Sequence, residues 1–144
     1  MRQPSDSVPT DEDYRRLLEF RAGLRRFLRW SERAAAGAQL TPAVHQLLLA
    51  IRGDRAPEGP TVAALASHMV VRHHTAVGLI DRAEHAGLVI RLPDEDDRRV
   101  VHVRLTVEGA TRLEALTAQH LDELRRMGTS LSALWLDLPA DEAR

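Results

Sequence analysis

The hydrophobic period of this chain changes at Gly87, and that change limits the fold more than any other feature. Before Gly87 the apolar residues recur at helical spacing. They are Val44, Leu47, Leu48 and Ile51, then Val62, Ala63, Leu65, Ala66 and Met69, then Ala76, Val77, Leu79, Ile80 and Ala83. After Gly87 the period is two. Leu88, Ile90 and Leu92 alternate with Val89 and Arg91; beyond a polar tip at Pro93 to Asp97, Val101, Val103 and Leu105 alternate with His102 and Arg104. Short helices that run into an edge hairpin have the layout of a winged helix-turn-helix.

The punctuation agrees. Thr41 followed by Pro42 is a cap with proline at the first helical position, and Gly53 ends that helix. Arg55 to Pro60 reads as a turn, Thr61 as the next cap, and Val70 to His73 as the turn before a helix that stops at Gly87. On the N-terminal side, Met1 to Pro9 reads as a loose leader. Tyr14, Leu17, Leu18, Phe20, Leu24, Phe27, Leu28 and Trp30 then form a wide stripe on a long helix ending near Ala36–Gly37, with arginines filling most of the other positions. On the C-terminal side Thr106 caps a helix lined by Ala110, Leu113, Leu116, Leu121 and Leu124. Gly128 is read as a break, and Ser130 as the cap of a last short helix bearing Leu131, Leu134, Trp135 and Leu138.

The expected fold is mainly α with a small β-hairpin wing. It comprises an N-terminal dimerisation helix at 11–39, a winged helix-turn-helix at 40–109 and C-terminal dimerisation helices at 110–138. The outer stripes exceed what one small winged domain can cover, so a homodimer is expected.

Composition removes several classes of function. The chain has 144 residues, enough for one compact domain. Its longest apolar run, Leu47 to Ile51, is far short of the roughly 20 residues that span a bilayer. Residues 1–10 lack the apolar core of a signal peptide, so a cytoplasmic location is expected. Without cysteine there is no disulfide framework, iron–sulfur centre or thiol sensor. Glycine-rich phosphate loops, metal-ligand motifs and serine-centred elbows are absent from the sequence, and no cofactor is expected. Net charge is −1, so any attraction to nucleic acid must be local; all 20 basic side chains are arginine, whose fork suits phosphate and base edges.

Three motifs carry a resemblance to a known family. They are Leu40-Thr41; Ile80-Asp81-Arg82 followed by Ala86-Gly87-Leu88-Val89; and Asp97-Arg98-Arg99 leading through Val100 to Arg104 into Leu105-Thr106 and Gly109. The last follows the pattern Asp-x-Arg, five residues, Leu-Thr without an insertion. Residues 40–109 resemble the winged core of the MarR (multiple antibiotic resistance regulator) family, and the flanking helices fit its dimerisation region. The resemblance implies a dimeric transcriptional regulator, mostly a repressor, that binds a pseudopalindromic operator and releases it on binding a small phenolic or lipophilic compound. Two positions depart from the family pattern: Gly78 stands where a polar or basic residue is frequent, and Ala83 where leucine is usual.

In a winged helix-turn-helix the second helix of the pair enters the major groove. On that helix His74, Thr75, Gly78 and Arg82 face outward if Ala76, Ile80 and Ala83 face inward. The DNA-binding candidates are therefore Arg72, His73, His74, Thr75 and Arg82. Two more come from the wing, where Arg99 would enter the minor groove and Arg98 would touch a phosphate. Asp97 is expected to hold an arginine by a bidentate bridge and so support the wing. Adjacent histidines do not share a helix face, which argues against a metal at His73 and His74. An effector pocket would draw on Phe20, Leu24 and Leu47, for which ordinary core packing is the competing role. Two other functions compete: a winged module that binds protein instead of DNA, and a small enzyme. The enzyme would require His45 or His120 bonded to a carboxylate beside an exposed hydroxyl.

Overall fold

The computed structural model describes residues 8–136, with side chains through residue 128. Five helices and one hairpin follow in the order α1 (Asp11–Gly37), α2 (Pro42–Gly53), α3 (Val62–Met69), α4 (His73–His85), β1 (Val89–Pro93), β2 (Val101–Leu105) and α5 (Val107–Leu136). The mainly helical winged fold is as the periodicity predicts. Most of the expected leader and the apolar residues Leu131 to Leu138 lie outside the residues whose side chains are described.

Local chemistry sets the element ends. The Thr41 and Thr61 hydroxyls accept from the amides of Val44 and Ala64, each at 3.2 Å, satisfying donors that a helix start leaves open. Thr10 and Asp13 form a reciprocal box at the start of α1: the Thr10 amide donates to Asp13 at 2.8 Å and the Asp13 amide to the Thr10 hydroxyl at 3.3 Å. The expected break at Gly128 is absent, because α5 passes through it without interruption. A helix-interior glycine costs only about 1 kcal/mol, and α5 itself holds no proline to withhold an amide.

The chain divides into two compact units, one contributed by both chain ends (through Trp30 and from Leu121) and one running from Ser31 to His120. In the first, α1 and the following part of α5 leave Tyr14, Leu17, Leu18, Leu24, Leu28, Leu121 and Leu124 exposed. In the second, Leu47, Leu48, Leu65, Ile80, Val103 and Leu116 are fully or almost fully buried in an aliphatic core.

The wing pairs antiparallel, Val89 with Leu105 through Pro93 with Val101, and a single bridge joins Thr61 to His102. Its alternation differs from the simple reading. Val89 is buried and Ile90 is 42% exposed, because Leu88 already faces the core as the chain leaves the Gly87 turn and the strand proper begins one residue later.

Where the wing returns to α5, Thr106 acts as a clasp. Its hydroxyl donates to the Gly87 carbonyl at 2.7 Å and accepts from the Gly109 amide at 3.0 Å, while its own amide donates to Leu88. The approach is so close that a Cβ on Gly109 would lie 2.0 Å from the Leu88 oxygen, so only glycine fits.

Candidate nucleic-acid interface

The turn between α3 and α4 folds through a left-handed residue. Val70 has φ 54° and ψ 45°, and the Val71 amide reaches back to Ala66 at 3.0 Å, closing α3. Arg72 then opens α4 with no side-chain cap, and the Thr75 amide turns back to the Arg72 carbonyl at 3.0 Å. Ala76, Leu79, Ile80 and Ala83 pack inward. Arg72, His73, His74, Thr75 and Arg82 are all exposed, and of these His74, Thr75 and Arg82 lie on the side opposite the packed residues. None of their side chains makes a hydrogen bond or ion pair among the described residues. The five sequence candidates are thus uncommitted, with His74, Thr75 and Arg82 on one face of α4 and Arg72 and His73 at its N-terminal end.

Two carboxylates on the same helix, by contrast, are neutralised. Arg91 of β1 donates to Glu84 at 2.8 Å and also binds Asp81, while its backbone amide meets the other Glu84 oxygen at 3.1 Å. Arg91 thereby ties the wing to α4 and offsets negative charge that would repel a phosphate. Sequence reasoning missed it. The partners lie seven and ten positions away across the Gly87 turn, and only the arginine's place amid apolar strand residues hints at the bond.

At the wing tip the expected bidentate bridge is present. Arg99 Nε and Nη2 donate to the two oxygens of Asp97 at 3.0 and 3.1 Å, and the guanidinium remains 90% exposed. The arginine's side-chain bonds, then its backbone amide, hold the Asp97 carboxyl below the usual carboxylate range. Arg98 is exposed beside them with no described partner.

The acidic run at the tip is less repulsive than its sequence implies, because Asp94 is turned inward. One oxygen accepts from the amides of Asp96 and Asp97 at 2.9 Å each, and the other meets His102 Nε2 at 2.7 Å. His102 is buried, and its Nδ1 lies 2.8 Å from the Gly59 carbonyl. Both ring nitrogens face acceptors, so both must donate and the ring is an imidazolium. The His102 bond, followed by the two amides, pulls the Asp94 carboxyl down to about 2. Neither residue was singled out from the sequence, since their meeting depends on the hairpin register.

The suggested pocket residues fall differently. Leu47 is fully buried in the core of the Ser31–His120 unit, whereas Phe20 and Leu24 belong to the other unit, half-buried and 40% exposed. His45 and His120 lie ring to ring at 4.8 Å, and His120 joins the Ser31 hydroxyl at 2.7 Å. That hydroxyl is buried, not exposed as a nucleophile beside a general base would need to be. Among the described residues no group of three or more His, Cys, Asp or Glu side chains is placed to hold a metal ion. No single described helix is long and apolar enough to cross a membrane.

Residues 38–100 match the family model described as MarR family. The chain is 29% identical over 79 residues to the HTH-type transcriptional regulator PecS of Dickeya dadantii (strain 3937). That match covers 55% of this chain and 48% of PecS, so the chain spans about half the length of this curated relative. Among solved structures, an S. aureus MepR mutant bound to an oligodeoxyribonucleotide is similar at a TM-score of 0.65 and 21% identity, covering 77% of this chain and 79% of that one. CouR from Rhodococcus jostii RHA1, bound to p-coumaroyl-CoA, is similar at a TM-score of 0.65 and 25% identity, covering 85% and 81%.

Proposed function

We propose that the chain, whose residues 38–100 match the MarR family model, is a homodimeric DNA-binding transcriptional repressor of that family acting in the cytoplasm. The observation that carries this reading is the uncommitted surface at the start of α4 and along its outer face, where Arg72, His73, His74, Thr75 and Arg82 are exposed in the same unit as a wing bearing Arg98 and Arg99. In this reading α4 enters the major groove, His74 and Thr75 meet base edges, and Arg72, His73 and Arg82 lie along its approach and its phosphates. Arg99, aligned by Asp97, enters the minor groove, and Arg98 touches the backbone. MepR bound to an oligodeoxyribonucleotide supports the use of this fold on DNA.

The segments 11–39 and 110–138 supply the dimer interface, which would cover Tyr14, Leu17, Leu18, Leu24, Leu28, Leu121 and Leu124. Two-fold symmetry then demands a pseudopalindrome with half-sites about one helical turn, roughly 34 Å, apart. Release by a small lipophilic effector is the remaining part of the proposal, supported by CouR, whose structure holds p-coumaroyl-CoA. The reading assigns the chain no catalytic role.

A gel-shift titration on the DNA upstream of its own coding region, at two salt concentrations, tests the function. Affinity should fall steeply with salt, by close to 0.9 in log–log slope for each phosphate contacted. Binding that is absent, or indifferent to salt, would favour a winged module that binds protein.

A further inference from the structure

Gly78 sits at the centre of the uncommitted face of α4. His74 and Thr75 precede it by four and three residues, and Asp81 and Arg82 follow it by three and four, so all four surround it on the helix surface. Packing gives no reason for a glycine there. A Cβ built on Gly78 meets nothing within 4 Å, its backbone is ordinary helix, and helix propensity favours almost every other residue. The face therefore carries a notch, an open space over bare helix backbone, with His74, Thr75, Asp81 and Arg82 at the positions around it. Arg91 engages Asp81.

Given the DNA-reading role proposed above, on which this inference rests, we propose that the notch at Gly78 seats the C5-methyl group of a thymine and so specifies that base. In the major groove the thymine methyl is the apolar group that projects from a base edge, whereas the other edges present donors and acceptors. The Gly78 Cα offers no hydrogen-bonding atom. Every base edge in that groove carries a hydrogen-bonding atom, thymine's O4 included, but only thymine adds a methyl group, and that group fills the space that a side chain would otherwise take. Recognition then comes from close backbone approach at the centre, with His74, Thr75 and Arg82 bonding around it.

The test begins with a site selected from a random DNA pool by the full-length protein. Each thymine of a half-site is replaced in turn by deoxyuridine, which differs only in lacking the methyl group, and affinities are measured for the wild type and Gly78→Ala. For the wild type, one replacement per half-site should weaken binding on the order of tenfold. Gly78→Ala should bind the thymine site at least as weakly as that, and should regain affinity when the same thymine becomes uracil. Its melting temperature should rise by a few degrees, since alanine is the better helix former, which separates lost recognition from lost folding. Equal affinity of wild type and Gly78→Ala for the thymine site overturns the proposal, as does a loss that is the same on thymine and uracil. If the wild type selects no DNA at all, the failure lies with the DNA-reading function itself.

Discussion

At the scale of single residues the least comfortable position is Val70. Its left-handed backbone sets the α3–α4 turn, yet a side chain with a Cβ costs roughly 1–2 kcal/mol in that region, and this one is 90% exposed with little packing to offset the cost. Val70→Gly should therefore raise the unfolding free energy by about 1 kcal/mol in urea titrations; an unchanged midpoint would mean the turn is not strained. Gly109 has the opposite sign. A methyl group there collides with the Leu88 carbonyl, so Gly109→Ala should destabilise by more than about 2 kcal/mol and loosen the clasp built on Thr106. Residues of this kind differ in how far the sequence reveals them. Thr41, Thr61 and Thr106 are legible as caps because their partners lie three positions away. Gly109 is visible only as part of a pattern, because its reason is a carbonyl 21 positions earlier in the chain.

Among the elements, the wing couples charge to structure most tightly. The bond from Asp94, then that from the Gly59 carbonyl, raises the pKa of His102 above its ordinary 6.5. A raised histidine contributes stability that is complete below the unfolded value and is lost as pH rises through the folded one. Glu58 adds to the same field, and the Arg104 guanidinium, 2.8 Å from the Glu58 carbonyl, is the nearby cation that keeps its charge throughout. Amide exchange across Val101–Leu105, corrected for its intrinsic pH dependence, should speed up as pH rises above neutrality, and His102→Gln should flatten that response. A wild-type wing protected equally at pH 6 and pH 9 would refute the imidazolium. The outer bridge predicts a functional effect. Arg99→Ala should weaken operator binding and lower the salt slope by about one unit without altering the helices. If Asp97 acts only by aligning Arg99, the double variant should cost little more than Arg99→Ala alone. The hairpin itself was legible from its period of two. The Asp94–His102 and Arg91–Glu84 pairs were not, because they depend on register and on a turn geometry that alternation leaves open.

For the whole molecule, the exposed apolar residues of α1 and α5 predict sedimentation at twice the 16.1 kDa chain mass at micromolar concentration. The acid response of the Ser31–His120 unit has a separate origin. Burial, and then the neighbouring His120, lowers the pKa of His45, so the unfolded chain takes up a proton that the folded one resists. Stability from this group is complete above about 6.5, the unfolded value, and is lost as pH falls toward the lower folded value. Thermal melts between pH 7.5 and pH 5 should show that loss, and His45→Leu should reduce it. Helix order and fold class were readable from the hydrophobic period alone, whereas the continuity of α5 was not, since Gly128 signals a break that nothing downstream enforces. The division into units also bears on the order of folding. Residues Ser31 to His120 are contiguous, while the other unit draws on both ends of the chain. The winged unit can close on contacts nearer in sequence, whereas α1 must find the second half of α5 across the whole of that unit, a longer loop to close. On the proposed function, the parts assigned to DNA reading would take shape before the parts assigned to pairing.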